Sequence, residues 1–482
     1  MSPRKQPRSL FNLCVKSCVS LINSTCFYIE NKYPDEMFRN RKRDAYILKR
    51  HLMTMLPARL FDVLCSKRTR CQYHGDPRIQ LFILTHPKMA VFRKSELDNS
   101  IPQFFWTSTL PKLNRLVVLD LKFICTDEIL QVIGRNCLLL EEINIVSRVD
   151  ICKSDVNASV WKRNVSNKGL RYIVNLKKLR ILAMDPPRNE RMCRVGRCVS
   201  QAGIIKLINV LPVLEELRIE SCNIGSTLID AAVNIGPLSL RKMNYHFASP
   251  EGLRKLIKIC PFLKELSVVH FYERSNKDKI VEEITMSDLT LNYLDLSFFS
   301  YGDSMEQLLR SKGAYLTSFS IWEMEHSVTF DAIVTIGELC PNLQKFRLIT
   351  QSKSLVFPRY FQRPKNIFNK LEYLTIGCEN FNIDHMLTFF LECTDNLQKI
   401  MLKYQTKCNI DDILMNLLQK GFLRNIVYLW LDCTLTVSKT VVWQMIQMCE
   451  KLHNLTVDFE EYETELQQHI AENNLNLKLG SY

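Results

Sequence analysis

Cys260-Pro261-Phe262-Leu263-Lys264-Glu265-Leu266-Ser267-Val268 is the stretch whose reading decides the fold. Leu263, Leu266 and Val268 follow a simple pattern: apolar, two variable residues, apolar, one variable residue, apolar. It returns at Leu343-x-x-Phe346-x-Leu348, again behind Cys340-Pro341, and at Leu371-x-x-Leu374-x-Ile376 and Leu452-x-x-Leu455-x-Val457. The chain holds thirteen such starts, at Leu116, Leu140, Leu179, Leu214, Leu240, Leu263, Leu291, Leu316, Leu343, Leu371, Leu397, Ile426 and Leu452. Most steps between them are 23 to 29 residues by subtraction; the steps from 140 to 179 and from 179 to 214 are longer and hold insertions. A weaker unit stands ahead of them at Met89-x-x-Phe92. Self-similarity at such a period is the sequence sign of a solenoid.

Residues two apart in a strand point to one face, and those between them to the other. The pattern therefore predicts a short strand in each unit. A helix-like stretch follows, as in Asp331 to Cys340, where Ile333, Ile336 and Leu339 recur at helical spacing. Pro341 ends that helix, because proline disfavours helical geometry in the residue before it. One unit alone cannot bury its Leu side chains. Stacked neighbours can, at about 1.5–3 kcal/mol for each fully buried Leu.

The array resembles the leucine-rich-repeat family, and within it the cysteine-containing subtype, where Cys or Cys-Pro closes the helix before the next start. Cys137, Cys260, Cys340, Cys393 and Cys449 stand just ahead of such starts. The resemblance implies an α/β fold: a leucine-rich-repeat horseshoe solenoid over 110–482, with a short N-terminal helical region over 1–109. It implies a binding surface and no particular activity.

Composition agrees with an ordinary folded chain: 482 residues, 46% hydrophobic. No apolar run reaches the length of a membrane span, and the polar residues within Leu10 to Ile22 make a signal peptide a poor fit. The 18 cysteines are scattered through the repeats, so we expect buried free thiols in a reducing compartment, cytoplasmic or nuclear. The sequons at Asn23, Asn157, Asn164 and Asn454 are then chance matches. The net charge is +14 and uneven: residues 1–112 hold 20 Lys/Arg against 8 Asp/Glu, leaving the repeats nearly neutral. The densest run, Arg39 to Arg43 followed by Lys49 and Arg50, suits a nuclear-localisation or nucleic-acid patch. It suits equally a solvated helix face or a surface meeting an acidic protein. Along the repeats no basic stripe with interleaved aromatics is read from the linear sequence, so nucleic acid is not an expected partner.

Before the array, four helices are expected. The first runs from about Leu10 to Phe27, behind Pro7 and a possible N-cap at Ser9, with Leu10, Cys14 and Cys18 on one face and Leu13 close by. The second runs from Asp35 to Met55, the third from Pro57, and the fourth from Arg78 to Leu84. Ser9-Leu10-x-x-x-Cys14 resembles the elongin-binding box, with Cys18 standing where a small aliphatic residue is usual. Leu56-Pro57-Ala58-Arg59-Leu60-Phe61-Asp62-Val63-Leu64 resembles the cullin-2 box that follows it. Together they resemble the von Hippel–Lindau box of substrate receptors for cullin-2 ubiquitin ligases. The resemblance implies that Ser9, Leu10, Leu13 and Cys14 meet elongin C of the elongin B/C pair, and that Leu56, Pro57, Leu60 and Leu64 face cullin-2. The same Leu-Pro start also resembles an F-box, which would recruit the Skp adaptor and cullin-1. That reading leaves Ser9 to Cys18 unexplained and finds no Trp near its expected end. The plain alternatives are packing of these residues against the first repeat, and a binding scaffold without a ligase partner.

The variable strand residues define a candidate surface for a protein substrate. Aromatics and Arg dominate binding hot spots, which singles out Tyr293, Trp322, Tyr373, Tyr428 and Trp430. Their alternative is to cover the edge of the core. Ser147–Asn167, Asp185–Ser200 and Thr350–Asn366, the last with Phe357, Tyr360 and Phe361, are candidate functional loops. No catalytic motif is present, and neither Cys65, Cys71 and His74 nor Cys193 and Cys198 complete a zinc set. We expect neither an enzyme nor a cofactor.

Overall fold

The computed structural model describes residues 10–33, 38–66, 77–93, 101–146, 165–185, 199–219, 224–230, 236–270, 274–323, 328–351, 355–358, 367–378, 383–394, 396–404, 408–458, 462–473 and 475–480. The chain falls into two compact units, Arg8–Lys242 and Met243–Tyr482.

The first unit opens with four helices, α1 (Leu10–Lys32), α2 (Phe38–Met55), α3 (Ala58–Ser66) and α4 (Pro77–Leu84). A parallel ladder follows: β1 (Val91–Phe92), β2 (Val118–Asp120), β3 (Glu142–Asn144), β4 (Ile181–Met184) and β5 (Glu216–Ile219). Between and after the strands run α5 (Gln103–Thr109), α6 (Asp127–Asn136), α7 (Asn167–Ile173), α8 (Gln201–Val210) and α9 (Ile224–Asp230). The register runs Val118, Glu142, Ile181, Glu216, and closes on Lys242 opposite Glu216. The weak unit at Met89 proves to be β1, so strand pairing starts ahead of residue 110. Helices and ladder are tied together by Asp62 of α3, whose Oδ1 accepts the N–H groups of Ala90 (3.1 Å) and Val91 (3.3 Å).

The first turns of successive helices interlock in this unit. Asp127 accepts Ser166 N–H (2.8 Å) and Oγ–H (2.6 Å), and Ser200 N–H donates to Asn167 Oδ1 (3.0 Å). The approach is so close that a Cβ at Gly169 would lie 2.3 Å from Asp127 Oδ1, which explains glycine there.

In the second unit the strands β6 (Lys242–His246, of which Lys242 belongs to the first unit), β7 (Glu265–Val269), β8 (Tyr293–Ser297), β9 (Ser318–Glu323), β10 (Lys345–Thr350), β11 (Tyr373–Cys378), β12 (Lys399–Tyr404), β14 (Tyr428–Leu431), β16 (Asn454–Thr456) and β17 (Lys478–Gly480) again lie in chain order. β13 (Cys408–Asn409) and β15 (Leu435–Thr436) form a separate parallel pair. The helices are α10 (Pro250–Ile259), α11 (Arg274–Met286), α12 (Asp303–Lys312), α13 (Phe330–Leu339), α14 (Ile383–Cys393), α15 (Asp411–Gln419), α16 (Lys439–Met448) and α17 (Glu463–Glu472). Each of the thirteen starts is buried and stands two residues before a strand. The fold is an α/β leucine-rich-repeat solenoid. The terminal strand β17 was not legible, because Asn476 stands where the pattern asks for an apolar start.

Cys137, Cys260, Cys340 and Cys449 cap α6, α10, α13 and α16, each N–H donating to the carbonyl four residues back. The cysteines whose side chains are described are free thiols, and burial pushes those four up to about 12. At the eleventh start the capping place belongs to Thr394, not Cys393. The Thr394 hydroxyl donates to Leu371 O (3.2 Å), while Cys393 lies inside α14.

The core of the second unit is aromatic around β9 to β11, where Phe346, Phe368, Phe389 and Phe390 meet at centroid distances of 5.2–6.5 Å. Phe357, expected in a functional loop, belongs to this cluster and is buried.

Candidate functional site

Two surfaces carry the residues that the sequence singles out. The first is α1. Val15, Val19, Ile22, Cys26 and Ile29 form a buried stripe at spacings of three and four residues. On the opposite side Leu13 (45% exposed), Cys14, Leu21 (56%) and Tyr28 (63%) face solvent. At about 100° per residue, Cys14, Leu21 and Tyr28 lie almost on one line, and Leu10 falls on it by position. A soluble helix has one apolar stripe and a polar back; α1 has two apolar stripes, one buried and one open. Ser9 and the Leu10 side chain lie outside the described residues. Cys18 is half-buried, rotated toward the packed side.

Of the second box-like stretch, Pro57 is exposed and Leu56 and Leu60 are half-buried. Leu64 is buried at 1%, which corrects the expectation that it faces a partner: it holds α3 in place. The basic run is also partly structural. Arg41 donates to Tyr33 O (2.7 and 3.0 Å), and Lys49 turns inward to Phe82 O (2.7 Å) and Thr85 Oγ1 (3.1 Å). Burial, then the neighbouring Lys112 and Lys42, pull the Lys49 ammonium down to about 8. Arg43 and Arg50 remain exposed.

The second surface is the strand face opposite the buried Leu column. In the second unit one row of that face runs Tyr293, Ser318, Lys345, Tyr373, Lys399, Tyr428, Asn454. The row two residues on runs Asp295, Ser320, Arg347, Thr375, Met401, Trp430, Thr456. Register brings Tyr373, Tyr428 and Trp430 together on β11 to β14. Tyr293 stands three rungs from Tyr373, half-buried, with its phenol pushed up to about 12 by burial and Asp295. Trp322 (37% exposed) lies on β9 with its ring against Phe298 at 4.5 Å. Phe298 adopts φ 69°, a conformation uncommon for a bulky residue. Ser320, in the same strand-face row as Arg347, is buried.

The linear sequence shows no basic stripe, and the register corrects that reading for β10 to β12. Lys345 Nζ lies 5.1 Å from the Tyr373 ring centroid and Lys399 Nζ 4.5 Å from it, and Lys403 Nζ lies 5.6 Å from Trp430. Lys399 and Lys403 were not singled out from sequence. The signal that finds Lys399 is the position two residues after each start, read down the array; Lys403 stands four residues further along the same strand.

The first unit decorates the same face differently. Arg93 bonds Glu142 (2.7 Å), Arg218 bonds Glu216 (2.9 Å) and reaches Glu142 (3.5 Å), and Lys242 reaches Glu216 (3.5 Å). Beside them Arg180 joins Glu215 (2.9 Å) and Glu141 (3.7 Å), and Arg241 joins Glu215 (3.5 Å). The Arg180 hydrogen bond holds the Glu215 carboxyl below the usual carboxylate range.

Among the described residues no group of three or more His, Cys, Asp or Glu is placed to hold a metal, and no helix is long and apolar enough to cross a membrane. Cys71, His74, Cys193, Cys198 and most of the three insertion loops lie outside the described residues.

No family model matches the chain, and no curated protein matches it in sequence. Solved structures do match. A chain in the crystal structure of the Rad7 and Elc1 complex in yeast is 14% identical, with 94% of each chain covered and a TM-score of 0.44. The leucine-rich-repeat protein LIC12759 of Leptospira interrogans is 13% identical, with 82% of this chain and 96% of that one covered and a TM-score of 0.31. A chain in the TLR13–ssRNA13 complex is 12% identical, with 77% and 51% covered and a TM-score of 0.33.

Proposed function

We propose that this chain is the substrate-recognition subunit of a cullin-2 ubiquitin ligase in the cytoplasm or nucleus. It offers α1 to elongin C of the elongin B/C pair and the Leu56-Pro57 corner to cullin-2, and it presents a target protein on the repeats. It positions a substrate and leaves the chemistry to its partners. The observation that carries this reading is the second apolar stripe of α1, where Leu13, Cys14, Leu21 and Tyr28 stay open to solvent. Laying such a stripe into a groove is a recurring mode of helix recognition. It supports the elongin reading over the F-box reading, which gives α1 no work.

The test is affinity purification of the full chain, scored for elongin C and for the Skp adaptor. The double variant Leu10→Ser/Cys14→Phe is expected to lose elongin C while keeping the wild-type melting temperature. Recovery of the Skp adaptor with cullin-1, lost on Pro57→Ala, would replace this reading with the F-box one. Recovery of no ligase subunit would reduce the protein to a binding scaffold.

A further inference from the structure

The open strand face of β10 to β12 and β14 carries Lys345, Arg347, Lys399 and Lys403. None of these four has a carboxylate as an ion-pair partner among the described residues. Four cations gathered without neutralisation on one face set up a positive potential that favours an anionic partner. Among the described residues, carboxylates flank the cations without pairing with them: Glu372 one residue before β11, Asp295 two rungs before Arg347, and Asp432 and Asp458 beyond the ends of β14 and β16.

The rings decide which polyanion fits. A single-stranded nucleic acid needs open aromatic faces on which bases stack. Here Tyr373 has an ammonium over it from each neighbouring strand, Lys345 at 5.1 Å and Lys399 at 4.5 Å, and Lys403 stands 5.6 Å from Trp430. The Tyr373 ring thus serves as a seat for two cations and the Trp430 ring for one, which leaves less open ring for bases to stack on. A ring under an ammonium holds a long, flexible side chain in place by cation–π attraction, which fixes the charge for a carboxylate to meet.

We infer that this face docks an acidic, Asp/Glu-rich extended segment of a partner protein, with Lys345, Arg347, Lys399 and Lys403 as its anchors and Tyr373 as a positioning residue. The inference rests on the reading of the repeats as a target-presenting surface and names the chemistry of the target.

The experiment measures fluorescence anisotropy of a labelled Asp/Glu-rich peptide of about a dozen residues against the full chain. The competing probe is an oligothymidylate of equal charge. The quadruple variant Lys345→Gln/Arg347→Gln/Lys399→Gln/Lys403→Gln is expected to bind the peptide at least tenfold more weakly. The pair Arg180→Gln/Arg241→Gln, on the neutralised face, is expected to bind as wild type does. Tyr373→Leu keeps every charge and is expected to weaken binding several-fold, a loss that bulk charge alone would not give. Equal peptide binding by wild type and the quadruple variant overturns the inference, and so does tighter binding of the oligothymidylate. Elongin C capture is scored on the same preparations. Failure of peptide binding with capture intact overturns this inference alone, whereas failure of capture with peptide binding intact overturns the adaptor reading alone.

Discussion

Along the edge of the first ladder, one residue before β3, β4, β5 and β6, Glu141, Arg180, Glu215 and Arg241 alternate in sign from rung to rung, each bonding its neighbour. On the second, Lys345, Tyr373, Lys399 and Tyr428 alternate cation and ring. Each ladder rests on its own inward column of Leu, Ile and Phe, so the repeat leaves its outward positions free to vary. Exposed ion pairs contribute about 0–1 kcal/mol each, so their sealing of the first face concerns binding more than stability. It removes that face from competition for charged partners, while the second face keeps its charge available.

If the inward columns are equivalent, equal damage should follow equal truncation. Leu182→Ala on β4 and Leu374→Ala on β11, both fully buried, should each cost about 2–5 kcal/mol in urea unfolding. A loss below about 1 kcal/mol at either site would break the equivalence of the two cores.

The next effect belongs to the first unit alone and comes from the cation buried in its helical region. Lys49 has a folded pKa near 8 against an ordinary 10.5. The unfolded chain therefore binds more protons between those values, and stability rises with pH across that window. The full gain is about 3 kcal/mol at 1.36 kcal/mol per pH unit. Lys49→Met should flatten the rise in melting temperature between pH 8 and 10.5; an unchanged profile would mean that Lys49 is solvated.

The smallest effect on stability sharpens the contrast most. Glu215→Gln/Glu216→Gln removes the carboxylates that Arg180, Arg218, Arg241 and Lys242 share. It should shift stability by less than about 1 kcal/mol, yet give the first face measurable affinity for the acidic peptide. No gain would show that charge balance alone does not separate the two faces and that the rings are required.

The inward half of each repeat was legible in the sequence because burial demands an apolar residue at a fixed place. All thirteen starts precede strands for that reason. The outward half was harder, since Lys345, Tyr373 and Lys399 are 26 to 28 residues apart and become neighbours only through strand register. A search for charge along the chain sees a neutral array. Thr394 was missed because its hydroxyl donates to a carbonyl where at the second start the Cys137 thiol does so, a substitution of chemistry that leaves no apolar mark. Leu64 was misassigned because spacing alone does not tell which side of α3 meets the rest of the first unit.

The paired lysines over Tyr373 also act as a ruler. They sit two strands apart, and adjacent strands are about 4.8 Å apart, so their backbones are separated by about 9.6 Å. A left-handed polyproline-type chain advances about 9.3 Å in three residues and returns each third side chain to the same side. A guest running across the rungs would thus meet both ammonium groups with acids at every third position. Its spacing, as well as its total negative charge, would then be written in the separation between strands.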